Sequence, residues 1–246
     1  MRKWQGKRYW LIGASEGLGR EVALALSRAG AEVIVSARNA QRLDELVAAL
    51  PGKGSAVAVD VSDRAAVEAA AAQIGRLDGM VYLAGVYWPM KATEWDGAKA
   101  EQMADINFMG GLRVVGAVLP AMLAQGSGHI VLTGSLSGFR GLPGSIGYGA
   151  AKTGLMALAE SLYADLRHTP VQVQLVNPGF IRTRLTDKND FAMPFIMEPQ
   201  AAAQEYFEHM NDDAFKKNFP FLFSLVFRVS QFMPDWMYYR VFGAKA

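Results

Sequence analysis

Short apolar runs along this chain alternate with stretches whose apolar residues recur every three or four positions. The runs at 8–13, 32–37, 55–59, 79–84, 129–133 and 171–176 are bounded by polar or glycine-bearing turns and predict strands. Between them, 17–29, 40–50, 64–75, 99–125 and 148–167 carry helical periodicity. Regular alternation of the two predicts βαβ units in an α/β fold: a doubly wound parallel sheet with right-handed crossovers. Internal repeats and a linker of changed composition are both absent, so a single domain is expected. Its core covers about 7–183, followed by a segment over about 184–198 and an apolar helical C-terminal extension over about 214–246.

The periodicity changes after Ile181. Pro194 interrupts 181–197, which reads as irregular or short-helical, and Pro199 suits the first position of a helix reaching about Met210. A helix over 221–233 would place Ser224, Arg228 and Gln231 on one narrow stripe, with apolar residues nearly everywhere else. Trp236, Tyr238, Tyr239 and Phe242 continue that character. Such a helix cannot be solvated all round. Its apolar face covers a pocket, packs on a second subunit, or lies in a membrane interface.

Composition narrows the function classes. With 51% hydrophobic and 20% charged residues the chain is globular in character, and a net charge of +2 over 246 residues gives no reason to expect nucleic acid. The absence of cysteine excludes disulfides and thiolate chemistry. His129, His168 and His209 are scattered without metal-ligand spacing, so no metal site is expected. Arg2, Lys3, Lys7 and Arg8 read as a solvated basic arm. Neither a secretory pattern nor an uninterrupted apolar run of about 20 residues is evident. The expected location is cytoplasmic, with any membrane contact peripheral and on the inner face.

Chemistry concentrates in a few places. Gly13-Ala-Ser15-Glu16-Gly17-Leu18-Gly19 follows the first predicted strand and opens the first predicted helix. Gly13 suits a tight turn, Gly17 lets backbone approach a pyrophosphate, and Gly19 lets helix and strand pack closely. The helix N-terminus adds unpaired N–H groups and a positive dipole end. The second strand ends in Ser36-Ala37-Arg38-Asn39, without the carboxylate that would bind both adenosine-ribose hydroxyls. Arg38 instead offers a planar fork for a 2′-phosphate, favouring NADP(H) over NAD(H), although the acidic Glu16 counts the other way. Tyr148 and Lys152 lie one helical turn apart, thirteen and seventeen residues after Ser135. A nearby ammonium favours phenolate, so this pair suits proton transfer to a carbonyl oxygen.

Together with Asn107, these residues resemble the short-chain dehydrogenase/reductase family over about 7–179. The resemblance implies a Rossmann-like sheet and hydride transfer between a nicotinamide and a carbonyl or secondary alcohol. Tyr148 would be the acid or base, Ser135 (with Ser137 as its rival) would bind the substrate oxygen, and Lys152 would hold the nicotinamide ribose. Asn107 would hold a water linking the lysine to solvent. The resemblance also assigns Asp60 and Val61 to the adenine, and Ala84 and Gly85 to backbone contact with the cofactor. Pro178 and Gly179 would face the nicotinamide, Ile181 would bond its carboxamide through the backbone, and Thr183 would reach the carboxamide or the phosphates.

The sequence departs from the family pattern in three places. Ile12 replaces a usual threonine, and Tyr82-Leu83 replaces two asparagines, which puts the usual bracing of the central sheet in doubt. The third departure is at the end of the chain, where the family's short strand with an Asp-Gly-Gly terminus is not expected.

Substrate contacts in the family come largely from the segment after the Pro-Gly turn. Here it carries Phe191, Met193, Phe195, Ile196 and Met197, with Tyr87, Trp88 and Met90 nearby in the reading and 141–146 as another wall. A small hydrophobic carbonyl or alcohol substrate is therefore expected, in a homodimer or homotetramer paired through the two long helices. The rival reading is a non-catalytic dinucleotide-binding sensor or scaffold whose tail docks a membrane or partner. A pure binder has no need for the full Ser/Tyr/Lys set.

Overall fold

Residue alternation along the first strand sets the layering of the whole molecule. In the computed structural model, which describes residues 2–243, Tyr9 and Leu11 of β1 (Arg8–Ile12) face one side of the sheet and Trp10 and Ile12 the other. The Tyr9 side is covered by α1 (Gly17–Arg28), α2 (Ala40–Ala49) and α7 (Pro199–Met210). The Trp10 side is covered by α3 (Arg64–Ile74), α5 (Gly110–Ala124) and α6 (Ile146–Leu166). Trp10 is fully buried, and its indole N–H donates to Ser36 Oγ at 2.8 Å, so its one polar atom is satisfied.

The remaining strands are β2 (Glu32–Ser36), β3 (Gly54–Ala56), β4 (Gly79–Tyr82), β5 (Gly128–Thr133), β6 (Val171–Pro178) and β7 (Lys216–Phe219). All pair in parallel, in the order β3-β2-β1-β4-β5-β6-β7. This is the doubly wound sheet the alternation predicts. Strand order reverses between β1 and β4, and a crevice opens there at the carboxyl ends of the strands.

Strands β1, β2 and β4 stop one or two residues earlier than the apolar runs suggest. Gly13, Ala37, Leu83 and Ala84 leave the ladder and turn over the sheet edge. The helix expected over 99–125 is interrupted. It consists of α4 (Gly97–Ala104), a π-helical segment (Asp105–Met109) and α5. By length and composition alone this 97–124 stretch is long and apolar enough to cross a membrane, although Lys99, Glu101, Asp105 and Arg113 interrupt it. In this fold nearly half of its most apolar stretch is buried, against α3 and α6.

Tyr82, where the family pattern has an asparagine, makes a brace of its own. Its hydroxyl donates to the Ile106 carbonyl at 2.5 Å, so the end of β4 is pinned to the π-helical segment through a buried phenol. The basic N-terminal arm is docked rather than solvated. Trp4 is buried, Lys7 pairs with Asp78 and Arg8 with Glu32, and Arg2 bonds Gln172 and the Met210 carbonyl.

The tail differs most from expectation. A seventh strand does form, on the outer edge of β6, from the polar stretch Lys216–Phe219 that gives no strand signal. Beyond it lie α8 (Phe221–Ser230) and a further helix, α9 (Asp235–Phe242); 244–246, the last residues of the expected extension, fall outside the described residues. The polar stripe of α8 does not point uniformly to water. Ser224 is buried and bonds the Phe221 carbonyl at 2.7 Å, while Phe221, Leu222, Val226 and Val229 are exposed.

Removing the Tyr82 hydroxyl leaves the buried Ile106 carbonyl without that donor. Tyr82→Phe is expected to cost about 1–3 kcal/mol in urea unfolding. A variant as stable as the parent would remove the pin from the account of this fold.

Candidate active site

The strand ends converge on a cleft of about 870 Å³ at the switch point. Two glycines make it reachable. Gly13 has φ +89°, and a Cβ there would meet Leu83 C at 2.7 Å, with Ala84 backbone nearer still. A Cβ at Gly19 would lie 2.9 Å from Ala14 Cα, so α1 begins tight against the end of β1. Ser15, Glu16, Gly17 and Leu18 lie between them on the cleft wall. Gly13 N–H donates to the Ser36 carbonyl at 2.7 Å, which fixes the loop beside the end of β2.

Arg38, at that β2 end, is exposed, lines the cleft, and forms no ion pair among the described residues. Asp60 and Val61 line the cleft next to it. Burial pushes the Asp60 carboxyl upward. Two hydrogen bonds from Ser62 and the positive charges of Arg38 and Arg113 outweigh that and hold it below its ordinary value. Glu16 does not stand as a free negative charge in the glycine loop. One of its oxygens accepts from Arg42 at 2.6 Å and the other from Arg184 at 2.8 Å.

Sequence reasoning missed Arg42. The signal was its position four residues after Arg38, in the first turn of a helix whose N-cap, Asn39, accepts from the Arg42 N–H.

On the other side of the switch point, Ala84, Gly85, Ser135, Tyr148, Lys152, Pro178, Gly179, Ile181 and Thr183 all line the same cleft. Ser135 lies two residues beyond the end of β5 and caps a short 3-10 turn over Leu136–Gly138. Its hydroxyl lies 2.9 Å from that of Ser137; the rival serine is its neighbour but does not line the cleft. Tyr148 is half-buried and meets the ring of Tyr87 edge-on at 5.1 Å. Burial drives its phenol up to about 12, and the hydrogen bond with Ser135 draws it part of the way back. The side chain is thus a protonated acid at neutral pH.

Lys152 is buried, its Nζ 5.7 Å from the Tyr148 ring centre. Its ammonium donates to the Thr133 carbonyl at 2.8 Å, and burial lowers it to about 8. The expectation that Lys152 draws Tyr148 towards phenolate is therefore not met in this state: burial wins at both groups. Asn107 is fully buried and does not line the cleft. Its amide clamps the backbone of Val86, donating to the carbonyl at 2.9 Å and accepting from the N–H at 2.7 Å. With both ends of the amide engaged there, its side chain positions the loop after β4.

The segment after β6 spans the cleft like a strap. It is closed at its base by a bridge between Ile181 and Met197. Arg184 ties it to Glu16 on the glycine-loop side. Lys188 ties it to the opposite rim, donating to the Tyr87 carbonyl at 2.7 Å with its Nζ 4.6 Å from the Trp88 ring centre. Phe191 and Phe195, expected to face substrate, are substantially exposed. Phe195 packs on Phe223 of α8 at 5.6 Å, and Phe180 touches both Phe191 and Phe223.

A family model described as short chain dehydrogenase matches residues 7–192. An uncharacterized oxidoreductase of Myxococcus xanthus is 34% identical over 232 residues, 92% of each chain. The 3-oxoacyl-[acyl-carrier-protein] reductase of Thermotoga maritima is 32% identical over 196 residues, covering 75% of this chain and 78% of its own. Among solved structures, a short-chain dehydrogenase from Sphingobium yanoikuyae in complex with NADPH superposes with a TM-score of 0.81 at 26% identity, over 87% of this chain and 88% of that one.

The lowered Lys152 has a consequence for stability. An unfolded lysine stays charged to about 10.5, whereas the folded one loses its proton near 8. Below about 8 the fold carries the whole penalty of burying the charge, and the penalty fades as pH rises from there towards 10.5. Relative to Lys152→Met, the parent chain should therefore gain stability across that window in urea unfolding. A stability gap that stays flat across it would mean the buried lysine keeps its proton.

Proposed function

We propose, from the premise that the chain belongs to the short-chain dehydrogenase/reductase family, that it is an NADP(H)-dependent oxidoreductase acting on a hydrophobic ketone or secondary alcohol. The observation that carries this reading is the meeting of Ser135, Tyr148 and Lys152 in the cleft that also holds the glycine loop. When bound, the dinucleotide exchanges a hydride with the carbonyl carbon. The chain supplies the rest. Ser135 hydrogen-bonds the substrate oxygen, and the protonated Tyr148 donates to it in the reductive direction. Lys152, held on the Thr133 carbonyl, supplies positive charge behind the phenol as it gives up its proton.

The cofactor preference rests on charge at the β2 corner. Arg38 is free of ion pairs among the described residues and lines the cleft at this corner, so its guanidinium is available to a 2′-phosphate on the adenosine ribose; Arg42, also on the cleft wall, is paired with Glu16. The NADPH complex of the Sphingobium protein and the reductase activity in the name of the Thermotoga protein support a reductase of this kind. The apolar lining residues Trp88, Val86, Ile106 and Leu185 support a hydrophobic substrate. Exposed Leu112 and Leu123 on α5 support pairing of two copies through that helix.

In the assay that tests this, NADPH absorbance is followed against a panel of apolar ketones. Tyr148→Phe should leave NADPH binding intact and cut turnover by roughly 10²–10⁴-fold; a variant that still turns over would remove the tyrosine from the mechanism. Arg38→Ala should weaken NADPH about tenfold, the equivalent of about 1.4 kcal/mol, and leave NADH unchanged. Equal losses for the two nucleotides would place the 2′-phosphate elsewhere.

A further inference from the structure

Helices α8 and α9 leave a large apolar face uncovered. Phe232 is 88% exposed, Trp236 71%, Leu222 67% and Phe221 64%, with Val226, Val229, Tyr239 and Val241 also in solvent. The face is built to be this way. Each helix turns its few inward contacts to the protein: Ser224 and Ser230 are buried on α8, and Tyr238 is buried on α9 with its hydroxyl on the Gly141 carbonyl at 2.7 Å. Arg140 holds both helices, donating to the Ser230 and Met233 carbonyls at 2.6 and 2.7 Å, lying 4.0 Å over the Tyr238 ring, and pairing with Asp235. The apolar face therefore stands on a fixed base rather than on a loose tail.

Its charges are one-sided. Asp235, the one acidic residue of the two helices, is taken by Arg140. Arg228 and Arg240 are exposed and form no ion pair among the described residues. Protruding Phe and Trp side chains next to unpaired cations match an anionic lipid interface, where aromatic rings sit at headgroup depth and arginines meet lipid phosphates. A second copy of this chain fits less well. Two-fold pairing on the same face would bring like charges together with no acidic partner left on either side.

The face is also continuous with the strap over the active site. From Phe227 the aromatic contacts run through Phe223, at 5.0 Å, to Phe195 and Phe180 on either side of the strap. Phe223 lies near Gly179, where an added Cβ would meet it at 3.2 Å. We propose that the α8–α9 face docks on the surface of an anionic lipid bilayer and sets the rim of the active-site cleft against it. The second half of this statement rests on the hydrophobic-substrate reading; the docking itself does not.

The test is co-sedimentation of the full chain, without cofactor or substrate, with vesicles of phosphatidylcholine alone or mixed with phosphatidylglycerol. Binding to the mixed vesicles is expected, weakened by salt. Phe232→Ser combined with Trp236→Ser should reduce the bound fraction at least tenfold. Arg228→Gln combined with Arg240→Gln should erase the preference for phosphatidylglycerol. NADPH titration of each variant reports whether it is folded, and it reads the oxidoreductase assignment separately from the lipid result. The proposal is overturned if the parent chain stays in the supernatant with both vesicle types. It is also overturned if the aromatic double variant sediments like the parent, or if that variant instead converts a dimer to a monomer in analytical ultracentrifugation.

Discussion

The close approach of two backbone loops is the constraint on which the rest of the site depends. The turn after β1 and the turn after β4 touch at Gly13 and Ala84, with no room for a side chain between them. Parallel pairing puts every strand's carboxyl end on the same edge, but only this contact lets both loops lie low enough to leave an open cleft above the sheet. The β4 loop is then held from the far side. Tyr82 reaches the Ile106 carbonyl and Asn107 clamps Val86, so all three bonds start from or end on the π-helical segment. An insertion of this kind in a helix carries a cost in regularity, and here it turns a carbonyl and a side-chain amide towards the sheet edge.

The same economy governs the buried charge. Lys152 could not stay in an apolar layer without an acceptor, and the Thr133 carbonyl at the end of β5 provides one. Thr133 is itself fixed by its hydroxyl, 2.8 Å from that of Tyr206 on α7. A helix far along the chain thereby holds the strand end that carries the lysine's partner. Lys152, Thr133 and Tyr206 thus form one linked polar chain that reaches from one face of the sheet to the other.

Most of this could be read from the residues because the informative ones do local jobs. The strand and helix alternation, the glycine loop, and the Ser135, Tyr148 and Lys152 spacing each depend on near neighbours, and the cleft brings them together. What escaped the sequence depends on distant partners. The strand Lys216–Phe219 is polar and forms only because β6 offers an open edge. Asn107 looks like a helix polar residue until Val86 is placed beside it, and Glu16 reads as an obstacle to phosphate until Arg42 and Arg184 arrive from elsewhere in the chain. The shift of Tyr148 away from phenolate is likewise a matter of burial, which spacing alone does not reveal.

The bridge between Ile181 and Met197 closes the strap at its root, and nothing within the loop takes part in the sheet. The entropy of closing such a loop rises only slowly with its length, by about 0.6 kcal/mol for each doubling. Residues could therefore be added to or removed from this strap over evolutionary time without re-registering a strand or moving Tyr148. A scaffold with that property can explore new substrates by changing a single surface loop while its chemistry stays in place.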